Sequence, residues 1–278
     1  MQKKELNIEN FVLFFNSLDN FEIGTPITSN YTTYILKNML DYFYTEYEEI
    51  EFEKDLPNVN GICEVKDGCE FTEYHGIIKI QFNSFYPSII KKLLEKKEIK
   101  FNVKELGLMY LFVLDNLNSI RKNEMITQNG AMMCKIFMNS IYILSCNKFN
   151  KWGLDKPRLI VEYGRNILNH IIENFNDEYI YIDTDMIITK SSKRLLEYLN
   201  SLDLKYDISS INFMIFNKKR YVIEEDGIFD VKGIRTNSTR TRRNTNDDIL
   251  NAIEDFRMKL LYQSRIHKVN KILEKIKQ

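Results

Sequence analysis

Two aspartates at the tip of a predicted β-hairpin are the strongest candidates for a chemical role in this chain. The stretch 179–188 has two short β-branched and aromatic runs, which favour strands, around a polar tip with Asp183 and Asp185. Side chains two positions apart on an extended chain point to one side, so the carboxylates are predicted to project together. Carboxylate oxygens suit Mg²⁺, whose coordination substrate phosphates complete. A solvated turn is the alternative, because Asp and Thr favour turns.

A second candidate site is a predicted strand–turn–helix corner. Residues 76–82 read as a strand that runs into Asn-Ser-Phe-Tyr-Pro-Ser-Ile-Ile at 83–90, where Pro87 suits the first turn of a helix. The turn and the helix N-terminus bring several backbone N–H groups together, which favours an anion such as phosphate. Tyr86 is predicted to stand at the mouth of this turn. The alternative is an ordinary strand–helix corner without a ligand, in which Tyr86 only packs against its neighbours.

Two further predicted helices, at 103–122 and 127–146, carry polar residues on otherwise apolar sequences. Lys135, Asn139 and Tyr142 are spaced i, i+4 and i+7, which places them on one face of the second helix. Arg121 and Lys122 lie at the end of the first. This polar face suits either solvent or a charged ligand.

Composition limits the possibilities less than charge distribution does. The chain has 278 residues, with 39 Lys and Arg against 39 Asp and Glu, so net charge indicates no class of partner. Residues 231–246 contain five basic residues and no acid. Such a block is typical of a solvated surface and also of a contact to a phosphate backbone. Its basic residues are Lys232, Arg235, Arg240, Arg242 and Arg243.

The cysteines and apolar runs favour an intracellular, cytoplasmic protein without a membrane partner. Four cysteines form no Cys-x-x-Cys pair and the chain has three histidines, a pattern that predicts reduced thiols rather than a zinc site. The apolar run at 11–15 is too short for a signal-peptide core or a membrane span.

Four motifs resemble, in type and order, those of the core of a family B DNA polymerase. The stretch 83–90 resembles motif A, Lys-Ile-Phe-Met-Asn-Ser-Ile-Tyr at 135–142 resembles motif B, and Tyr-Ile-Asp-Thr-Asp at 181–185 resembles motif C. Lys-Arg-Tyr at 219–221 resembles the Lys-x-Tyr motif, and Val-Lys-Gly at 231–233 the turn that follows it. The resemblance covers roughly residues 60–245 and leaves no room for the family's 3′–5′ exonuclease domain.

The resemblance implies an α+β fold: a polymerase palm with an antiparallel sheet and flanking helices, helical fingers and a small helical thumb. The implied order is an N-terminal helical segment at 1–60, palm at 61–100, fingers at 101–146, palm again at 147–233 and thumb at 234–278. It also implies replication of a virus, phage or plasmid, alongside other replication proteins.

The activity that the resemblance implies is template-directed nucleotidyl transfer onto a primer 3′ end, by a two-metal mechanism with Mg²⁺ or Mn²⁺. DNA primer–template and dNTP are the implied partners, and Asp183 and Asp185 the implied catalytic metal ligands. The implied nucleotide-binding residues are Ser84, Phe85, Tyr86, Arg121, Lys122, Lys135 and Asn139. The implied primer- and DNA-binding residues are Tyr142, Lys219, Tyr221, Lys232, Arg235, Arg240, Arg242 and Arg243.

The chain departs from the family at the position of the motif A carboxylate, which falls on Gln81, a neutral residue. A glutamine offers one weak oxygen ligand, and the lost charge predicts a rate lower by roughly 10²–10⁴. Ile143 also replaces the motif B glycine, and Met186 the polar residue after motif C. Three interpretations stay open: an active minimal polymerase, a catalytically inactive homologue that serves as a nucleic-acid-binding or structural subunit, and an unrelated α/β protein.

Overall fold

The computed structural model describes residues 2–18, 29–47, 61–145, 154–190 and 193–233, with short helical pieces at 253–254, 257–259, 261–262 and 265–266. These ranges form an α+β fold with one antiparallel sheet, which confirms the predicted class. The chain divides into two compact units, one of residues 1–60 and 84–165, the other of residues 61–83 and 166–278. The palm, fingers and thumb bounds stay predictions.

The first unit is helical and is built around phenylalanines. Its first helix begins where the Asn7 side chain accepts a hydrogen bond from the backbone N–H of Asn10, at 2.9 Å. Phe11 on this helix is fully buried, with its ring centroid 4.5 Å from that of Phe43 and 5.1 Å from that of Phe112. Aromatic contacts therefore join three helices. The helices are α1 (Ile8–Ser17), α2 (Ser29–Phe43), α3 (Phe85–Glu95), α4 (Lys104–Asp115), α5 (Leu117–Arg121), α6 (Gln128–Ser145) and the first part of α7 (Pro157–Asn174).

The single helix predicted at 103–122 is in fact two helices, α4 and α5, with a break at Asn116. The backbone of Asn116 lies outside the helical region, with φ −109° and ψ 15°. Its side-chain amide donates to the carbonyl of Phe112 at 2.9 Å. Asparagine side chains compete in this way with the helical backbone for hydrogen bonds. The spacing of apolar residues, on which the prediction of one helix is based, contains no sign of this competition.

The second unit is organised on a seven-stranded sheet in the order β1-β3-β4-β2-β5-β6-β7, and all neighbours are antiparallel. The sheet edge away from β1 is a meander of hairpins, β5-β6-β7. The second part of α7 and α8 (Lys193–Ser201) also belong to this unit. The strands are β1 (Cys63–Val65), β2 (Thr72–Phe82), β3 (Tyr179–Asp183), β4 (Met186–Thr189), β5 (Tyr206–Asn217), β6 (Arg220–Glu225) and β7 (Ile228–Lys232).

Strand β2 is longer than the predicted run at 76–82, and it pairs with β5 along most of its length. Gly76 interrupts their pairing, with φ +62° and a register shift between residues 74 and 77. The Asn212 side chain accepts the Gly76 N–H at 3.1 Å and so satisfies a donor that the ladder leaves unpaired. At such a bulge the alternation of inward and outward side chains shifts by one residue. A prediction based on regular alternation therefore ends the strand at the bulge.

Both faces of the sheet carry buried apolar side chains. One face holds a cluster that includes Tyr181, Met186, Phe213 and Tyr221. On the opposite face Met214, Phe216, Val222 and Ile253 pack together. Alternation along β5 and β6 separates the two clusters, as a sheet covered on both sides requires. No helix in the described ranges has the length and apolarity that a bilayer crossing needs.

Candidate functional site

The strand register of the second unit places the motif A and motif C positions in one row. Gln81 on β2 lies opposite Met186 on β4, and Met186 lies opposite Asp183 on β3. Asp207 on β5 is the partner of Gln81 on its other side. Directly opposite residues point to the same face of a sheet, so Asp183, Gln81 and Asp207 share a face. Sequence alone did not reveal Asp207, because its position depends on the pairing of β2 with β5.

The tip of the β3-β4 hairpin brings Asp185 to Gln81. The carbonyl oxygen of Asp185 accepts from the backbone N–H of Phe82 at 2.8 Å and from the Gln81 amide at 3.0 Å. Thr184 has φ +58°, so the tip is a turn and the strict alternation assumed for an extended chain is broken there. Asp183 is buried at the strand end, whereas Asp185 is partly exposed in the turn. The carboxylates are neighbours, but their surroundings differ.

Asp183 is 4% exposed, and hydrogen bonds reach both of its carboxylate oxygens. Lys219 Nζ and the Thr184 hydroxyl donate to Oδ1, the latter at 3.3 Å. Lys232 Nζ at 3.1 Å and the Tyr181 hydroxyl at 3.3 Å donate to Oδ2. Burial by itself raises the pKa of Asp183, but the hydrogen bonds and charges of the two lysines outweigh it and lower that pKa. The carboxylate is therefore ionised and ion-paired at neutral pH.

Backbone contacts hold the two lysines beside Asp183. The Tyr181 hydroxyl accepts the backbone N–H of Lys219 at 3.2 Å, and Lys219 has φ +61°. Gly233 has φ +68°, and a Cβ at that position would overlap the Lys219 carbonyl oxygen. Only glycine permits this approach, which brings the end of β7, and with it Lys232, next to the β5-β6 turn. Lys232 also pairs directly with Tyr221 across β6 and β7.

Asp185 has the opposite electrostatic character. Burial raises the pKa of its carboxyl, and repulsion by Asp183 adds to this, against a smaller lowering from the Gln81 hydrogen bond. Folding therefore disfavours the ionised form of Asp185. Because the pKa of Asp185 is higher in the folded state than in the unfolded state, protonated Asp185 stabilises the fold below its unfolded-state pKa. This stabilisation is lost as the pH rises through its folded-state pKa.

Substitutions at the two aspartates are expected to change stability in opposite directions. Asp183→Asn should lower the thermal midpoint at pH 7, and Asp185→Asn should raise it. Both differences should shrink on acidification below about pH 4, where aspartates protonate. The Asp183 difference should persist to lower pH, because the folded pKa of Asp183 is lowered. Thermal unfolding by circular dichroism from pH 3 to pH 8 measures both; a stabilising Asp183→Asn would contradict the ion-pair geometry.

The described side chains do not fit a two-metal centre. Among the described residues, no three His, Cys, Asp or Glu side chains gather as ligands for a metal ion, and Asp207 does not join the two hairpin aspartates. An ionised carboxylate offers about four lone-pair positions, and four donors occupy those of Asp183. Gln81 directs an N–H donor, rather than an oxygen, at Asp185. Metal binding by Asp183 and Asp185 therefore stays a prediction.

The strand–turn–helix corner at 83–90 is present, and its helix side belongs to the first unit. Ser84 has φ +51° and precedes α3, and its side chain makes no capping hydrogen bond. Phe85 is buried, and Tyr86 is half-buried. A Cβ on Gly164 would lie 3.2 Å from a ring carbon of each, so a glycine on α7 allows both rings to approach that helix closely. Phosphate binding at this corner stays a prediction.

Arg121, Lys122 and Lys135 are exposed on α5, just after it, and on α6. Burial raises the pKa of the Cys134 thiol to about 12, and the charge of Arg121 partly offsets this increase. Arg121 therefore lies near the α6 turn that carries Lys135. Asn139 and Tyr142 follow Lys135 on the same helix, but their side chains lie outside the described part of the structure. Their role in nucleotide or DNA binding stays a prediction.

The basic block lies largely outside the described residues. Lys232 is described, but Arg235, Arg240, Arg242 and Arg243 are not. Lys219, Tyr221 and Lys232 were predicted as DNA-binding residues, and the structure brings all three to the Asp183 side of the sheet. Sequence analysis missed the two ion pairs and the Tyr181 hydroxyl that orients them. Residues 36 and 49 positions away from Asp183 carry no local pattern that predicts such contacts.

No family model and no curated protein matches the chain. It is similar to solved structures of DNA polymerases. A family B DNA polymerase from the hyperthermophilic archaeon Pyrobaculum calidifontis has 15% identity and a TM-score of 0.48, over 94% of this chain and 42% of the other. Phi29 DNA polymerase complexed with single-stranded DNA has 11% identity and a TM-score of 0.49, over 81% of this chain and 62% of the other.

The same phi29 enzyme complexed with primer–template DNA has 11% identity and a TM-score of 0.47, over 85% of this chain and 64% of the other. The chain therefore spans less than two thirds of the length of each of these three polymerases. Each of the three TM-scores is below 0.5.

Proposed function

We propose that this chain is a family B polymerase-like protein that binds primer–template DNA and that, in isolation, extends a primer feebly or not at all. The observation that carries the proposal is the neutral Gln81, placed by strand register in the row that also contains Asp183. The position that the motif order assigns to a catalytic carboxylate instead holds an amide, and this amide donates to the Asp185 carbonyl.

Charge explains why this geometry disfavours nucleotidyl transfer. Two-metal transfer uses carboxylates from two strands to hold ions on the attacking and leaving oxygens. Here β2 contributes no carboxylate to the row that contains Asp183, and the carboxylate of Asp183 is ion-paired to Lys219 and Lys232. The loss of one carboxylate lowers such a rate by roughly 10²–10⁴.

Positive charge on the same face supports nucleic-acid binding. The side chains of Lys219 and Lys232 are 52% and 49% exposed, so half of each remains open to a ligand. Next to Lys232 in sequence are the four arginines of the basic block. Phosphate contacts of this kind give affinity without sequence preference, as a polymerase-like protein requires. We also propose an intracellular location and other replication proteins as partners.

Template-directed nucleotidyl transfer is the second candidate function, with dNTP and Mg²⁺ or Mn²⁺ as substrate and cofactor. The observation that favours it is the carboxyl of Asp185, which lies beside Gln81 at the hairpin tip and, unlike Asp183, has no lysine ion pair among the described contacts. A primer-extension assay with each metal separates the candidates. Extension by the unmodified chain at rates typical of polymerases would establish the second candidate and overturn the first.

Binding to primer–template DNA is expected to fall steeply with salt. Changing Arg240, Arg242 and Arg243 together to Ala should weaken binding of all sequences alike and reduce the salt-dependence slope by about 3. Fluorescence anisotropy with two unrelated primer–template duplexes at several salt concentrations measures both quantities. Changing three lysines of the first unit, Lys92, Lys96 and Lys97, to Ala provides a control of equal charge. Unchanged affinity in the arginine variant would make the block a solvated surface only.

A further inference from the structure

The charges around Asp183 are already balanced without a metal ion. Asp183 and Asp185 supply at most two negative charges, Lys219 and Lys232 supply two positive charges, and Gln81 supplies none. A divalent cation binds where carboxylates leave a net negative charge and open oxygen positions. The cluster has no net negative charge, and four donors already occupy the oxygen positions of Asp183, so a cation has to displace an ammonium group to bind Asp183.

The two ammonium groups are a fixed part of the fold rather than chance surface contacts. Lys219 is held through its own backbone, by the Tyr181 hydroxyl on one side and by the close approach of Gly233 on the other. Lys232 immediately precedes that glycine. The neighbouring Lys218 shows the contrast, because it points to Glu64 instead, at 2.6 Å. Two adjacent lysines of one turn therefore form ion pairs with different carboxylates.

Within the described part of the chain, Lys219 and Lys232 have N–H donors left after pairing with Asp183. Each ammonium has three N–H groups and uses one on the carboxylate. Their side chains are half exposed, whereas Asp183 beneath them is almost fully buried. The accessible part of the cluster is therefore cationic, with the negative charge behind it. An incoming group meets hydrogen-bond donors and positive charge.

We infer that Lys219 and Lys232 replace the divalent cation on Asp183 and that together they bind a phosphate group without metal. Phosphate oxygens accept charge-assisted hydrogen bonds from ammonium groups, and the backbone contacts of Lys219 and Gly233 keep the two lysines close together. The phosphate can belong to a nucleic-acid backbone or to a nucleotide. This inference deepens the proposed function and rests on it for the molecule that carries the phosphate.

Calorimetric titration of the full chain with inorganic pyrophosphate, in EDTA and at low salt, tests the inference. We expect binding that is unaffected by EDTA. Lys219→Gln and Lys232→Gln should each weaken it about tenfold, and the matched control Lys218→Gln should leave it unchanged. Asp183→Asn should bind as tightly as the unmodified chain or several-fold tighter, because it frees both lysines. A site in which a metal bridges Asp183 to phosphate requires the opposite result for EDTA and Asp183→Asn.

Manganese uptake gives a second readout, followed by electron paramagnetic resonance. The unmodified chain should bind no Mn²⁺ at the hairpin, and a Lys219→Gln, Lys232→Gln double variant should gain a site. Mn²⁺ binding by the unmodified chain that Asp183→Asn removes would overturn the inference. Should the double variant fail to fold, the Asp183→Asn titration decides, with circular dichroism to verify its fold.

Two competitors distinguish the sources of phosphate, each added in EDTA: a single-stranded oligonucleotide without terminal phosphates, and dATP. Displacement of pyrophosphate by the first assigns backbone phosphate, and displacement by the second assigns nucleotide. Pyrophosphate binding without any primer–template binding would overturn the proposed function but not this inference. Primer–template binding that neither lysine substitution weakens would overturn this inference but not the proposed function.

Discussion

Replacing Gln81 by Asp is expected to raise Mn²⁺-supported primer extension by the isolated chain by roughly 10²–10⁴-fold. The variant puts a second carboxylate beside Asp185, on the β2 side of the hairpin tip. A cation between β2 and the tip leaves the lysine pairs of Asp183 intact. Mn²⁺ tolerates less ideal geometry than Mg²⁺, so it should reveal the gain first. Single-nucleotide extension under saturating dNTP measures it.

Two controls make this experiment specific. Asp207→Asn changes the charge in the same row, one strand further from the hairpin, and should not change the rate. Combining Gln81→Asp with Asp185→Ala should abolish the gain. The variant should also acquire a thermal midpoint that rises with Mn²⁺, because two facing carboxylates repel each other until a cation separates them. A variant that binds primer and nucleotide but stays inert would place the defect elsewhere, with Ile143 the next residue to change.

Gly233→Ala is expected to lower the free energy of unfolding of the sheet unit by about 3 kcal/mol. Alanine at φ +68° is strained, and its Cβ would overlap the carbonyl oxygen of Lys219, a backbone atom that cannot rotate away. The β5-β6 turn then has to shift, which separates Lys219 from Lys232, the other lysine of the pair. Urea unfolding followed by circular dichroism measures the loss of stability. Pyrophosphate titration should show weaker binding in the same variant.

Gly227→Ala is the matched control for this prediction. Gly227 also has positive φ, at +77°, but a Cβ there has open space around it. It should therefore cost only the backbone strain, about 1–2 kcal/mol, and leave pyrophosphate binding intact. Equal losses in the two variants would show that the contact between Gly233 and Lys219 contributes nothing beyond strain.

The sheet was largely predictable because its strands are marked locally. The run 179–188 and the turn at Asp226 and Gly227 carry β-branched residues and turn residues in the order that hairpins require, and both hairpins are present. The meeting of Gln81 with Asp185 followed from motif order rather than from physics. Pairing of β2 with β4 and β5 joins segments more than 100 residues apart, and no local preference fixes such a register.

The surroundings of Asp183 could not be predicted from the sequence. Its protonation depends on how deeply it is buried and on ammonium groups that arrive from two other hairpins. The conformation of Thr184 mattered too, because a left-handed residue at the tip gives the two aspartates different exposure. A motif states which residue types are present. Whether a carboxylate contacts a lysine or stays accessible to a ligand depends on the geometry of turns. Glycines such as Gly233 determine that geometry.

The hydrogen bond from Gln81 to the Asp185 carbonyl has a consequence for the stability of the hairpin tip. The amide and the Phe82 N–H together hold the tip against β2, so glutamine at position 81 contributes to the fold. Aspartate at this position removes that donor and sets two carboxylates against each other before any cation compensates. We therefore expect a carboxylate at position 81 to weaken the attachment of the tip wherever divalent cations are scarce.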